Sequence, residues 1–200
     1  MNQNDVNILE ETWLCQSFLK LKRYQLRHKL FAGDWSQPIS REMVARPDVA
    51  VVLPYDPVLD KVVLIEQFRI GAMADEHSPW LVEIVAGVAE EGESIEELAH
   101  RETAEESGLV ALELLPIYRY WVSPGFCNER VELFCARVDA SQANGIHGLA
   151  EEDEDIRVST LPAVEAFAAV ASGKINNAAT MIALQWLQLN YQWLREKWSN

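Results

Sequence analysis

Apolar positions along the chain fall into two periods, and each change of period marks an element. Residues 49–53 are a continuous apolar run, and residues 62–65 repeat the signal after Pro54-Tyr55-Asp56-Pro57, which reads as a turn. Such runs suit strands buried on both faces. Residues 80–85 form another short strand that delivers the chain to Ala86 and Gly87. The period then becomes helical over 94–107, where Ile95, Leu98 and Ala99 lie three and four apart, no proline interrupts, and Gly92 and Gly108 stand at the ends. Residues 112–122 and 131–138 are strand candidates, 144–155 a long loop, and 156–160 a short strand. Helices are expected over 164–171, stopped by Ser172-Gly173, and over 178–198 with Ile182, Trp186, Leu189 and Trp193 on the apolar face.

Upstream, residues 1–9 are polar and expected to fray. Residues 12–30 are β-compatible, but Leu19 and Leu21 share one parity while Tyr24, Leu26 and Leu30 share the other, which places a bulge or turn near Lys22-Arg23. Residues 31–35 turn and 39–46 return as a strand. This lobe is too small for its own core, so it packs on something else, and a second subunit fits. The expected division is a β lobe over 1–47 and a main domain over 48–200.

Composition bounds the partners. Hydrophobic residues make up 49% and charged residues 24%, the balance of a soluble globular protein. A net charge of −14 argues against a nucleic-acid groove, which needs clustered Lys and Arg. It leaves open a small phosphorylated substrate, because a bound cation can supply the positive charge. Three cysteines form no CxxC pair and the four histidines have no ligand spacing. No basic stretch leads into an apolar run at the N-terminus and no apolar segment reaches membrane-spanning length, so a cytoplasmic protein without a membrane partner is expected.

The acidic charge is concentrated in GVAEEGESIEELAHRETAEESGL, residues 87–109, where eight Glu accompany one strong base, Arg101. Glu102 and Glu106 lie four apart on one side of the helix, with Glu105 beside them. Like charges at that spacing destabilise a bare helix, and a cation between them reverses the sign. Mg²⁺ suits all-oxygen ligands and shares itself with phosphates; a solvated acidic face fits the same spacing.

Gly87, Glu93, Arg101, Glu102, Glu105, Glu106 and Gly108, with Leu109 in the closing apolar slot, resemble the Nudix box: Gly, five free positions, Glu, seven free positions, then Arg-Glu-apolar-any-Glu-Glu-any-Gly-apolar. Thr103 departs from the usual aliphatic. The resemblance implies an α/β (α+β) fold, a mixed β-sheet sandwiched between helices, with the N-terminal β lobe used for dimerisation. It implies metal ligation by Ala86 through its carbonyl and by Glu102, Glu105 and Glu106. Arg101 is expected to orient carboxylates, reaching Glu97 or Glu105, with Glu93 in the same network.

Beyond the box, the chain resembles the short, dimeric bacterial ADP-ribose pyrophosphatases. Pro124 stands 16 positions past Gly108, residues 145–158 (GIHGLAEEDEDIRV) resemble their catalytic loop, and residues 175–189 (INNAATMIALQWLQL) resemble their closing helix. The resemblance implies Mg²⁺-dependent hydrolysis of ADP-ribose to AMP and ribose 5-phosphate, with Mn²⁺ able to substitute, in a homodimer whose N-terminal lobes are exchanged. It assigns Glu152 as general base and Glu154 as a further metal ligand, roles the two could exchange. It assigns Arg41, Arg69, Glu129 and Phe18 to substrate, Phe18 stacking on adenine from the partner subunit. The alternatives are another nucleoside diphosphate sugar or a dinucleotide such as NADH, or a non-catalytic Nudix module that senses ADP-ribose.

Overall fold

The computed structural model describes residues 1–198, which form two compact units: Met1–Asp48 with Tyr120–Arg130, and Val49–Arg119 with the residues from Val131 on. In the first unit β1 (Val6–Gln16), β2 (Lys20–His28) and β3 (Ile39–Ala45) make an antiparallel sheet in that order. The N-terminus does not fray as expected: Asn2 caps a short turn at Gln3–Asp5 and the strand starts at Val6. The parity shift also has another cause. Lys22 and Arg23 lie inside the ladder, paired with Trp13 and Thr12; the chain reverses at Ser17-Phe18-Leu19, and β1 carries irregularities at Ile8/Glu10 and Trp13/Cys15. A hairpin turn resets side-chain parity, so parity alone could not separate it from a bulge. The Val44 N–H donates to the Phe126 carbonyl at 2.8 Å and the Arg46 N–H to Asn128 Oδ1 at 2.7 Å, which holds residues 120–130 within this unit.

The second sheet is mixed. It contains β4 (Val49–Asp56), β5 (Lys61–Phe68), β6 (Trp80–Glu83), β7 (Val85–Val88), β8 (Glu113–Trp121), β9 (Arg130–Arg137), β10 (Gly145–His147) and β11 (Ile156–Pro162). Its order is β10-β11-β5-β4-β9-β8, with β6 paired to β5 and β7 to β4; β4 and β9 run parallel. Every residue of β4 is buried, as its unbroken apolar run implies. The turn expected at Pro54–Pro57 falls later, because Asp56, itself buried, accepts the Val58 and Leu59 N–H on Oδ1 and the Ala140 N–H on Oδ2.

Three helices cover this sheet: α1 (Ile95–Ser107), α2 (Ala163–Ala171) and α3 (Ala178–Trp198). Ala50 and Val52 of β4 share a core with Leu98 and Ala99 of α1, while Tyr55, of the other parity, meets the Trp198 ring of α3. The two-residue period of β4 therefore separates the helices onto opposite faces. The expected α3 stripe is corrected in part: Trp186 is buried, but Leu189 and Trp193 are exposed, and Ala183, Leu184, Leu187 and Leu194 do the rest of the packing. Asp60, accepting the hydroxyls of Tyr55 and Tyr191, sets that rotation. Among the described residues no helix is long and apolar enough to cross a membrane.

Helix α1 is fixed at both ends. Ser94 Oγ accepts the Glu97 N–H and the Glu97 side chain accepts the Ser94 N–H, a reciprocal cap. Gly108 closes it at φ 69°, where a Cβ would also fall 2.5 Å from the His147 ring. Ser94→Ala is expected to cost about 1 kcal/mol and lower the unfolding temperature by about 2–4 °C, read by calorimetry.

Candidate functional site

With Leu98 and Ala99 turned into the core, α1 directs Glu102 and Glu106 toward β7. Glu106 is 2% exposed, and its Oε2 accepts the Ala86 N–H at 2.9 Å. At Gly87 an added Cβ would lie 2.0 Å from the Glu102 carboxyl, so the missing side chain is what admits that group. Arg101 gathers the others: Nε and Nη2 donate to the two oxygens of Glu93 at 2.8 and 3.0 Å, and Nη1 donates to Glu102 Oε1 and Glu105 Oε2 at 2.8 Å each. Glu97, the other expected partner, is held instead in the helix cap. Thr103, where an aliphatic is usual, is fully buried and satisfies its hydroxyl on the Ala99 carbonyl at 2.6 Å.

The electrostatics follow from burial and crowding. Burial pushes the Glu102 carboxyl up to about 7 against the pull of Arg101, with Glu105 and Glu154 adding repulsion. Burial also drives Glu106 to about 8, opposed by the Ala86 N–H and reinforced by Glu102 and Glu154. Glu93, bonded to Arg101, lies below the usual carboxylate range.

The loop before β11 contributes Glu154, whose charge reaches both Glu102 and Glu106. Its Oε2 accepts the Leu149 N–H at 3.1 Å, and the Gly148 N–H donates to the Glu105 carbonyl at 3.2 Å, tying loop to helix. Glu152 ends the short turn Ala150–Glu152 and is exposed. Arg69 stands on the other side: its charge acts on Glu106, while Nε and Nη2 donate to Glu83 Oε2 at 2.9 and 2.7 Å. The structure thus collects Ala86, Glu102, Glu105, Glu106, Glu154 and Arg69 within one unit.

Glu152 lies in the same unit, and the remaining expected residues, Phe18, Arg41 and Glu129, lie in the first unit. Phe18 is 91% exposed at the β1–β2 turn, where its apolar type alone would have placed it in a core. Arg41 lines a cavity of about 660 Å³ with Tyr24, Leu26, Met43, Trp121 and Phe126. Glu129 Oε2 accepts Arg46 Nε at 3.0 Å. The sequence reading missed Glu83 and Asn177, which hold Arg69, and Arg46, which holds Glu129. Asn177 sits inside the quoted C-terminal motif, and Glu83 is an acid in an apolar strand; both signals were present without a role.

The donor set suits a hard divalent cation: it is all oxygen, buried at Glu106 and half-buried at the other donors, richer in carboxylates than in cations, and opened by Gly87. Among the described residues no three His, Cys, Asp or Glu side chains stand as a finished ligand cage. Glu102 and Glu105 are turned onto Arg101, Glu106 onto the Ala86 N–H and Glu154 onto the Leu149 N–H, so cation binding would exchange those contacts.

The chain is similar to known proteins over nearly its whole length. The NUDIX domain profile matches residues 44–181. An ADP-ribose pyrophosphatase of Escherichia coli (strain K12) is 48% identical over 197 residues, covering 98% of this chain and 94% of its own. The ADP-ribose pyrophosphatase of Haemophilus influenzae is 46% identical over 200 residues, covering 98% and 92%. A GDP-mannose pyrophosphatase of Pectobacterium atrosepticum is 33% identical over 181 residues, covering 90% and 92%. A solved structure described as an ADP compounds hydrolase shares the fold at a TM-score of 0.73 and 19% identity, covering 99% of this chain and 98% of its own.

Proposed function

The chain belongs to the Nudix family, and from that premise we propose that it hydrolyses the diphosphate of ADP-ribose, adding one water to give AMP and ribose 5-phosphate. The observation that carries this reading is the convergence of Glu102, Glu106 and Glu154 beside Arg69, with two of the carboxyls lifted toward neutrality by burial. The ADP-ribose pyrophosphatases at 46–48% identity support the substrate.

Glu102, Glu105, Glu106, Glu154 and the Ala86 carbonyl would hold Mg²⁺, with Mn²⁺ able to substitute. When bound, the cation supplies Lewis acidity and positive charge against the diphosphate. Arg101 holds Glu93, Glu102 and Glu105 in register. Arg69, held by Glu83 through Nε and Nη2, presents its remaining guanidinium nitrogen and its positive charge to a diphosphate oxygen. Glu152, exposed and clear of Arg101, takes the proton of the attacking water as general base, a role that suits a carboxylate outside the ligand set. Arg41 and Glu129 serve the nucleoside and the terminal ribose.

The exposed apolar row Val6, Ile8, Leu9, Trp13 and Leu14 on β1 supports a homodimer that exchanges its N-terminal lobes, with Phe18 offered to the partner's adenine. Its place is the cytoplasm, where nucleotide sugars arise.

The test is product analysis with Mg²⁺. ADP-ribose is expected to give equimolar AMP and ribose 5-phosphate, and a panel including GDP-mannose and NADH to react more slowly. Glu152→Gln should lower kcat roughly 10²–10⁴-fold without changing the Mg²⁺ dependence, whereas Glu154→Gln should shift that dependence to higher Mg²⁺. Faster turnover of GDP-mannose would instead favour the second reading that the 33% identical relatives suggest.

A further inference from the structure

Arg69 is held more elaborately than a surface arginine requires. Its backbone is extended at the end of β5, and two of its three guanidinium nitrogens, Nε and Nη2, converge on a single oxygen, Glu83 Oε2. Glu83 is 4% exposed at the end of β6. Its other oxygen, Oε1, accepts Asn177 Nδ2 at 2.7 Å. Asn177 Oδ1 accepts the backbone N–H and the hydroxyl of Thr180 at 3.2 Å each. The Thr180 hydroxyl in turn accepts the Ile84 N–H at 3.2 Å, closing the network onto the break between β6 and β7.

Polarity is determined at every joint. The carboxylate of Glu83 only accepts, so the Asn177 amide must present its nitrogen there and its oxygen to Thr180. A buried carboxylate is tolerable because its oxygens are satisfied, and a fully satisfied network is stiff. Arg69 also faces a competing attraction, since its charge already acts on Glu106. A loosely held guanidinium would move onto the Glu102, Glu106 and Glu154 carboxylates and compete with the cation. The grip of Glu83 keeps it off them and, among the described residues, leaves Nη1 as the nitrogen without a bond.

We propose that Glu83 and Asn177 are positioning residues for Arg69, setting its open nitrogen against the substrate diphosphate and keeping its guanidinium from pairing directly with the carboxylates of the cation site. This rests on the reading of Arg69 as a substrate contact given above. It also gives the N-terminus of α3 a role in the reaction, because Asn177 and Thr180 open that helix.

The decisive variant is Asn177→Asp, which is isosteric and still caps α3, but replaces the donor facing Glu83 with an acceptor. It is expected to lower kcat/KM for ADP-ribose about tenfold, more through KM than kcat, and also to lower the unfolding temperature, because Glu83 Oε1 then faces a second carboxyl in a buried network. Adding Glu83→Gln should recover part of that loss, because the Gln amide can donate to Asp at 177 and still accept from Arg69. In an Arg69→Ala background, Asn177→Asp should have no further effect. Equal fold-losses in both backgrounds, an unchanged kcat/KM, or no recovery in the double variant would overturn the proposal. If Arg69→Ala alone keeps the parent's kcat/KM, the contact assigned to Arg69 falls with it. Failure of the parent to hydrolyse ADP-ribose would be a separate result, against the function itself.

Discussion

Glu106→Gln should lower kcat/KM for ADP-ribose by roughly 10³-fold or more and, in cation-free protein at pH 8, raise the unfolding temperature. The opposite signs have one origin. Glu106 is 2% exposed and its carboxyl is driven to about 8, chiefly by burial. Its folded pKa stands above the ordinary 4.5, so the folded chain holds that proton longer than the unfolded chain does. The stability tied to it is complete below pH 4.5 and is lost as the pH rises through about 8. Gln keeps the shape and can still accept the Ala86 N–H, but carries no charge to bury, so it returns on the order of a few kcal/mol at pH 8. Without the charge, the cation loses its most buried ligand. Calorimetry and steady-state kinetics on one preparation check both halves; a variant that is less stable at pH 8 without cation, or that turns over like the parent, contradicts the assignment.

Withdrawing divalent cations is expected to stop turnover completely and to leave a protein whose stability falls between about pH 5 and pH 8. Glu102 and Glu106 both contribute, with folded pKa values near 7 and 8, raised first by burial; Glu105 and Glu154 add repulsion at Glu102, and Glu102 and Glu154 at Glu106. Restoring Mg²⁺ to about 100 times its dissociation constant should stabilise by about 2.7 kcal/mol, or roughly 5–10 °C. At one fixed Mg²⁺ concentration that rise should be larger at pH 8 than at pH 5.5, because protons and cation compete for the same oxygens and binding is weaker at the lower pH. Unfolding temperatures measured with chelator and with Mg²⁺ across this range make the comparison. A rise that is independent of pH would place the cation away from Glu102 and Glu106.

Glu93→Gln separates these effects from ordinary charge removal. Glu93 is held below the usual carboxylate range by its hydrogen bonds to Arg101, so its shift has the opposite sign to those of Glu102 and Glu106. The cluster therefore contains one carboxylate kept ionised to orient Arg101 and two whose ionisation is opposed until a cation is present. That division within a single acidic run is visible only when burial is known.

The chain's own pattern determined the local elements and the chemistry they carry. Helix α1 was legible because Ile95, Leu98 and Ala99 keep helical spacing between Ser94 and Gly108, and the candidate metal-binding acids because the same period puts Glu102 and Glu106 on one side. The buried strands β4 and β5 were legible because doubly covered strands lack polar alternation. Tertiary structure decided what depends on partners distant in sequence. The rotation of α3 follows Asp60 and the two tyrosines, so a long helix with apolar residues on several sides could not be oriented by spacing alone. Arg101 chose Glu93 and Glu102 over Glu97 because the helix cap had already taken Glu97. Glu83 and Asn177, 94 residues apart, become partners only when α3 folds back against the β6–β7 break. Local periodicity encodes which way a side chain faces; which group it meets, and whether its charge survives there, is set by long-range packing.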